Sequence, residues 1–445
     1  MQVPESTQSF PERRGWYLVV LLSLAGVVGQ LDRSLLSLLV APISRDLALT
    51  DVQMSLLLGF AFAVFMGVAS LPIAWLADRR DRRWILAFGI AAWSVMTALC
   101  AFANDFGSLF LARVGVGIGE ACLIPAGGAL IADSFSRERL ARANSVFVVG
   151  GAFGAGIALL LGGAIVQWTL SGSHVVVPGL PALRGWQSAL LLAAVPGIAL
   201  AALIALIVRD PRHHGTEVSA ASVSPSHRIT ARQFIREHRA ALFTLWLAYP
   251  LAAAASQGWL AWMPAHLGRT FAMDPGRAGT LFGLLIVTFG AAGTLLGGFL
   301  TDALFRRGRG DSAITLSVVS CSCLAVLGAL TPAAHSLGAM LAILAPFFFF
   351  GGLMAVMPVL AMQLIVPSHL RARMIAGLLL AVTIIGGGLG PTLVALLSEH
   401  VFHTPGVLGP SLAVTAAVLC PVTAIVLYFA RRPFERSLAA ADRQP

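Results

Sequence analysis

Ala74-Trp75-Leu76-Ala77-Asp78-Arg79-Arg80 and Gly298-Phe299-Leu300-Thr301-Asp302, the second followed by Arg306 and Arg307, carry one pattern 224 residues apart. Each places a small residue four positions before an Asp, at the end of an apolar run, and then a basic cluster. Four positions is about one helical turn, so the small residue and the Asp share a helix face. A matching signature in two halves of a chain is a pattern of membrane transporters built from structural repeats.

The rest of the chain has the composition to support that reading. Of its 445 residues 58% are apolar and 11% charged, against about 25% charged in a soluble globular protein. A membrane-crossing helix takes about 20 apolar residues, so twelve use about 240 and leave ample chain for loops. Apolar stretches bounded by charges or by Pro and Gly fall at 16–41, 53–77, 84–103, 107–132, 141–168, 186–208, 241–264, 278–301, 312–332, 337–363, 373–397 and 408–430. The expected architecture is all-α: twelve transmembrane helices in two six-helix bundles. The bundles are expected at 16–208 and 241–430, with tails at 1–15 and 431–445 and a linker at 209–240. Within that linker Ala231 to Arg239 has an amphipathic pattern suited to a membrane surface.

The basic residues give the orientation. All 30 are Arg, and none is Lys. With twelve spans, 24 of them fall on one side, four on the other (Arg45, Arg184, Arg269, Arg277), and Arg33 and Arg113 lie inside spans. One missing span would scramble this split, so both termini are expected to be cytoplasmic. The run from Trp16 is too long for a signal-peptide core and is expected to stay as the first span. A bacterial inner-membrane location follows from this pattern and from the Arg-, Ala- and Gly-rich composition.

Several chemistries drop out. Without Lys there is no Walker A loop and no Schiff-base lysine. The charge of +10 reflects the positive-inside bias, so no nucleic-acid partner is expected. Cys100, Cys122, Cys321, Cys323 and Cys420 all sit in apolar runs without metal-ligand spacing, and the His residues are scattered. No metal, no cofactor and no enzymatic activity are expected. Gly115-x-Gly117-x-Gly119 has no strand before it and reads as helix packing, as do the glycines between Gly150 and Gly163.

Four ionisable groups lie well inside spans: Asp32, Arg33, Arg113 and Glu120. A charge at mid-membrane costs at least about 2.5–3.5 kcal/mol and is usually paired or faces a cavity. At about 1.5 Å per residue, Asp32 and Arg33 lie roughly 12–14 Å, Arg113 about 9 Å and Glu120 about 20 Å from the outer ends of their spans. Arg113 and Glu120 are seven apart and project from nearly the same face. A carboxylate in a low-dielectric site changes protonation when a neighbouring guanidinium moves or is taken by an anionic substrate. A buried pair that fixes helix packing is the other reading of these charges.

The same residues carry a family resemblance. The twin signatures and the twelve spans resemble the major facilitator superfamily, although Ala74 and Asp81 stand where that family usually has Gly. Leu31-Asp32-Arg33-Ser34, Arg113-Val114-Gly115-Val116-Gly117-Ile118-Gly119-Glu120-Ala121, Ile131-Ala132-Asp133-Ser134-Phe135, Gly185-Trp186 and Arg209-Asp210-Pro211-Arg212 are similar to the spinster branch. Sugar-acid and organic-anion symporters share the Asp-Arg pair and the Arg-to-Glu spacing. The spinster resemblance implies a lysophospholipid or sphingolipid transporter with proton linkage at Glu120. The fold it implies lines its cavity with spans one, four, seven and ten, which makes Gln257 and Trp262 candidate substrate contacts.

The expected function is secondary active transport by alternating access, driven by protons. Glu120 is the candidate protonation switch, with Asp32 and Arg33 as a coupled pair and Arg113 holding Glu120 or a substrate anion. Asp78, Arg79, Arg82, Asp302 and Arg306 are the candidate cytoplasmic gate. The expected partners are an amphipathic lipid carrying a phosphate, protons and membrane lipids, with a monomeric chain. The alternatives are a symporter of a small organic or sugar acid, and a sensor that binds without transport.

Overall fold

The computed structural model describes residues 12–135, 137–172, 182–210, 230–403 and 406–441. Most of the expected N-terminal tail, the linker centre with Arg212 and Arg228, and Arg443 lie outside the described residues. Twelve helices among those described are long and apolar enough to cross a membrane. They are Gly15–Leu38, Asp51–Arg79, Arg82–Cys100, Phe106–Ser134, Phe153–Leu170, Gly185–Ile207, Arg239–Phe271, Pro275–Arg306, Ser312–Ala333, Leu337–Ile365, Arg373–Val401 and Gly409–Ala440. Each corresponds to one expected span, in order.

Span beginnings on the arginine-poor side are set by capping residues. Thr50 and Asp105 form capping boxes with Gln53 and Ser108 at the second and fourth spans. Asp274 and Ser336 cap the eighth and tenth, with Pro275 at the first turn of the eighth. Each cap satisfies backbone N–H groups that have no acceptor within the helix.

Span ends on the arginine-rich side run past the apolar stretches. The eighth continues to Arg306, and the last helix reaches Ala441, taking in Arg431, Arg432 and Arg436 of the expected tail. Apolar length marks only the part of a helix in hydrocarbon, whereas hydrogen bonding carries it on into the aqueous layer. The amphipathic end of the linker is a short helix, Ala231–Glu237, anchored by the buried ring of Phe234.

Small residues let the helices approach closely. A Cβ on Gly119 would sit 2.7 Å from the backbone nitrogen of Trp93, and one on Gly390 would sit 2.4 Å from the carbonyl oxygen of Ala254. These glycines bring together the third and fourth spans and the seventh and eleventh, as expected of small residues between membrane helices. The Gly115–Gly119 run is thus a packing surface. In the fifth span Gly154 makes room for Val27 in the same manner.

Close contacts divide the chain into two compact units. One holds Met1–Leu35 and Phe65–Ser226, and the other Leu36–Val64 and His227–Pro445. The second unit therefore includes the end of the first span and the beginning of the second, which the linker-based division assigns to the first bundle. The cause is local. Arg269 binds Asp51, the backbone N–H of Val52 donates to Glu399 at 2.9 Å, and a Cβ on Gly59 would meet the Gly387 carbonyl at 2.4 Å. Gly59 lies in a π-helical turn, Leu56–Phe60, and Gly387 in another, Val382–Leu389.

Candidate functional site

The intramembrane charges of the first unit converge. Arg33 projects from the first span and donates from one Nη to Glu120 on the fourth and from the other to Gln30, one turn back on its own helix. Asp32 points elsewhere, because neighbouring helical residues are about 100° apart around the axis. It is buried against the third span, where Thr97 Oγ1 lies 3.1 Å from Asp32 Oδ2 and 3.0 Å from the Trp93 carbonyl oxygen. One hydroxyl proton thus lies between two acceptors. Arg113, also buried, is within electrostatic reach of Asp32, Glu120 and Arg33.

Exposure separates the members of this set. The Arg33 side chain is 32% exposed, while that of Glu120 is 6% exposed. Of the two, the Arg33 side chain is the more accessible. The buried Oδ1 of Asp32 and Oε2 of Glu120 have no hydrogen-bond partner among the described residues.

The backbone places Glu120 at a break. The fourth span consists of two helical segments, Phe106–Glu120 and Leu123–Ser134. Pro125 has no N–H to return to the carbonyl of Ala121 and its ring crowds that carbonyl, which interrupts the helix one residue after Glu120. Pro125 was not among the sequence candidates. Its signal is visible in the sequence as a proline five positions after an intramembrane carboxylate. Gly29 supplies the space opposite: a Cβ there would stand 2.6 Å from Glu120 Oε1.

At the helix ends the candidate gate residues have different surroundings. Arg82 is buried, donates from Nη1 to Asp133 and from Nε to the Ala77 carbonyl, while its backbone N–H donates to Asp210 Oδ2 at 3.0 Å. Asp133 and Asp210 belong to the quoted motifs but were not singled out as gate residues. Arg79 lies over the Trp75 ring at 4.0 Å, and Asp78 is exposed. Asp302 and Arg306 are exposed, and neither makes an ion pair among the described residues. In that half the buried carboxylate is instead Asp311, which pairs with the part-exposed Arg431 and accepts from Thr315.

In the seventh span Gln257 is exposed, whereas Trp262 is fully buried and donates its indole N–H to the Pro391 carbonyl at 2.8 Å. In this conformation Trp262 ties the seventh span to the eleventh. Phe347 stacks on Trp259 with centroids 3.9 Å apart, so that part of the tenth span's phenylalanine run packs on the seventh. All five cysteines are free. No group of three potential metal ligands occurs among the described residues.

Comparison with known proteins adds whole-chain likeness. The MFS-type efflux pump of Mycolicibacterium smegmatis (strain ATCC 700084 / mc(2)155) is 29% identical over 436 residues, covering 97% of this chain and 96% of that one. The probable L-galactonate transporter of Escherichia coli (strain K12) is 28% identical over 65% of this chain and 62% of its own. The sphingosine-1-phosphate transporter SPNS2 of Danio rerio is 25% identical over 63% of this chain and 55% of its own. The fold is similar to that of a bacterial homologue of the human lysosomal transporter Spinster, a structure solved in an inward-facing, occupied conformation, with a TM-score of 0.73 at 24% identity over 96% of this chain and 97% of that one. The Major Facilitator Superfamily matches residues 22–391. With twelve spanning helices and that match over most of its length, this multi-pass membrane protein belongs to the Major Facilitator Superfamily.

Proposed function

We propose that this transporter couples proton movement to the passage of an amphipathic lipid carrying a phosphate, such as a lysophospholipid, by alternating access. The observation that carries the reading is the partly exposed Arg33 side chain held on the buried Glu120 carboxylate. A phosphate is a strong bidentate acceptor for Arg. When a substrate anion takes Arg33, Glu120 is left as a carboxylate in a low-dielectric site, which a proton neutralises. Release of the anion returns Arg33 to Glu120 and expels the proton. Arg113 and Asp32 set the field around the exchange, and Gln257 and Trp262 of the seventh span stay the candidate substrate contacts. The carrier works in the bacterial inner membrane as a monomer with both termini cytoplasmic.

A second reading has its own support. The Gln30 amide beside the charged set suits a polyhydroxylated acid, and a probable L-galactonate transporter is among the similar proteins. Proteoliposomes with and without an imposed pH gradient separate the two, using labelled lysophospholipid beside a labelled sugar acid. Lipid flux that follows the gradient, and that loses its pH dependence in Glu120→Gln, supports the first reading. Acid flux alone moves the assignment to the second. Binding without flux of either makes the chain a sensor.

A further inference from the structure

A crevice of about 280 Å³ opens on the first unit, where the arginine-rich ends of the first, fourth and sixth spans meet. Tyr17, Leu21, Ser134, Leu206 and Arg209 are among the residues that line it. The arrangement is layered. Tyr17 lies near the start of the first span, Ser134 ends the fourth and Arg209 follows the sixth by two residues, so all three stand at the level of a membrane interface. Leu21 is four residues into its helix from Tyr17, and Leu206 three residues back from Arg209, so the leucines lie about one turn deeper in the hydrocarbon.

The lining is open among the described residues. Tyr17 is 61% exposed and Leu206 81% exposed. Arg209 is exposed and makes no ion pair among the described residues, while the neighbouring Asp210 turns inward to the backbone of Arg82. Arg209 is the single charged residue of the lining. A cation and two hydroxyls at the interface above an aliphatic wall match a phosphate headgroup above its acyl chain.

We propose that this crevice is a binding site for an anionic phospholipid of the leaflet at the arginine-rich face. Arg209 holds the phosphate, Tyr17 and Ser134 its oxygens or glycerol hydroxyls, and the chain lies along Leu21 and Leu206. The site is separate from the Arg33–Glu120 set and does not depend on what that set transports.

The test is retention of phosphatidylglycerol against phosphatidylcholine by the whole protein, read by native mass spectrometry after extraction from vesicles containing both. The wild type should favour phosphatidylglycerol, and Arg209→Gln should lose about fivefold of that preference, the effect of one basic residue at an anionic membrane surface. Leu206→Trp keeps the charge but fills the crevice, and should lose retention as well. Arg436→Gln removes one exposed charge elsewhere and should retain lipid as the wild type does. Unchanged preference in Arg209→Gln, or an equal loss in Arg436→Gln, overturns the site. Competition by glycerol phosphate or inorganic phosphate at concentrations matching the lipid would also overturn it, by showing a soluble-anion site instead.

Discussion

Asp51 receives both terminal nitrogens of Arg269, Nη2 at 2.7 Å on Oδ1 and Nη1 at 2.9 Å on Oδ2. The carboxylate is buried while the guanidinium keeps some exposure and lies beside the Trp262 ring. Together with the Val52–Glu399 bond, the pair docks the start of the second span on the seventh and eleventh. Asp51→Asn leaves Arg269 one poorer acceptor and should lower stability by about 1–3 kcal/mol. The swap Asp51→Arg with Arg269→Asp should recover at least half of that. Thermal unfolding in detergent reads the first effect. A swap no better than either single change would show that the geometry, and not the charge pair, holds the contact.

Gly29 is the residue that lets Glu120 stand against the first span. An added Cβ would meet Oε1, the oxygen that accepts from Arg33, at 2.6 Å. Gly29→Ala should therefore push the carboxylate off Arg33 and reduce proton-dependent flux about tenfold, the equivalent of 1.4 kcal/mol, while shifting its pH profile. Gly26, one turn earlier on the same helix, is the control, since a Cβ there meets nothing within 4 Å. Gly26→Ala should leave rate and profile unchanged. A matching loss in both variants would trace the effect to the helix rather than to Glu120.

The helix-end charges follow one plan with the signs reversed between the halves. In the first, Arg82 at the start of the third span meets Asp133 and Asp210, which follow or end the fourth and sixth spans. In the second, Asp311 before the ninth meets Arg431 in the last helix. The repeated Asp302 signature is exposed and lies outside this pair. Asp311→Ala should thus destabilise by about 1–3 kcal/mol, because it removes a buried carboxylate that accepts from both Arg431 and Thr315. Asp302→Ala should stay within about 0.5 kcal/mol. Urea or thermal denaturation of the purified protein compares the two. Equal costs would mean that Asp302 makes contacts in another conformation that the pair at Asp311 does not replace.

Span number and order were legible because they rest on apolar length and on the one-sided placement of Arg, both of which act through the bilayer. That Asp32, Arg33, Arg113 and Glu120 lie inside spans was legible for the same reason, since a membrane penalises idle charge, whereas depth along the spans set Glu120 apart from the other three. Their pairing was not. The sequence makes Asp32 and Arg33 neighbours, but the helix turns them apart, and Arg33 finds Glu120 through a gap at Gly29 and a break at Pro125 that only packing reveals. The same holds for Arg82, whose partners Asp133 and Asp210 lie 51 and 128 residues away. A signature near in sequence, Asp78 with Arg79, drew the gate reading, although long-range partners hold the arginine that is buried.

His238 joins the linker helix to the end of the chain and makes stability depend on pH. It precedes the seventh span, with its ring against Phe234 at a centroid distance of 4.5 Å and its Nδ1 2.9 Å from Ser437 Oγ. The single Ser437 proton serves the Pro433 carbonyl, so Nδ1 carries the hydrogen and donates. Partial burial holds the imidazole below its ordinary value, against a smaller opposing pull from Glu237. The unfolded chain, with an ordinary histidine near 6.5, therefore binds more protons than the native one as pH falls through that value. The native contribution is complete above about pH 6.5 and is lost on acidification. Melting temperature should decline between neutral and mildly acidic pH, and His238→Gln should flatten that slope while leaving the value at alkaline pH nearly unchanged. A slope identical to the wild type's in His238→Gln would assign the acid sensitivity to the carboxylates instead. Ser437→Ala tests the hydrogen bond apart from the ring, because it removes the acceptor of Nδ1–H but leaves the burial that depresses the imidazole, so its acid slope should persist.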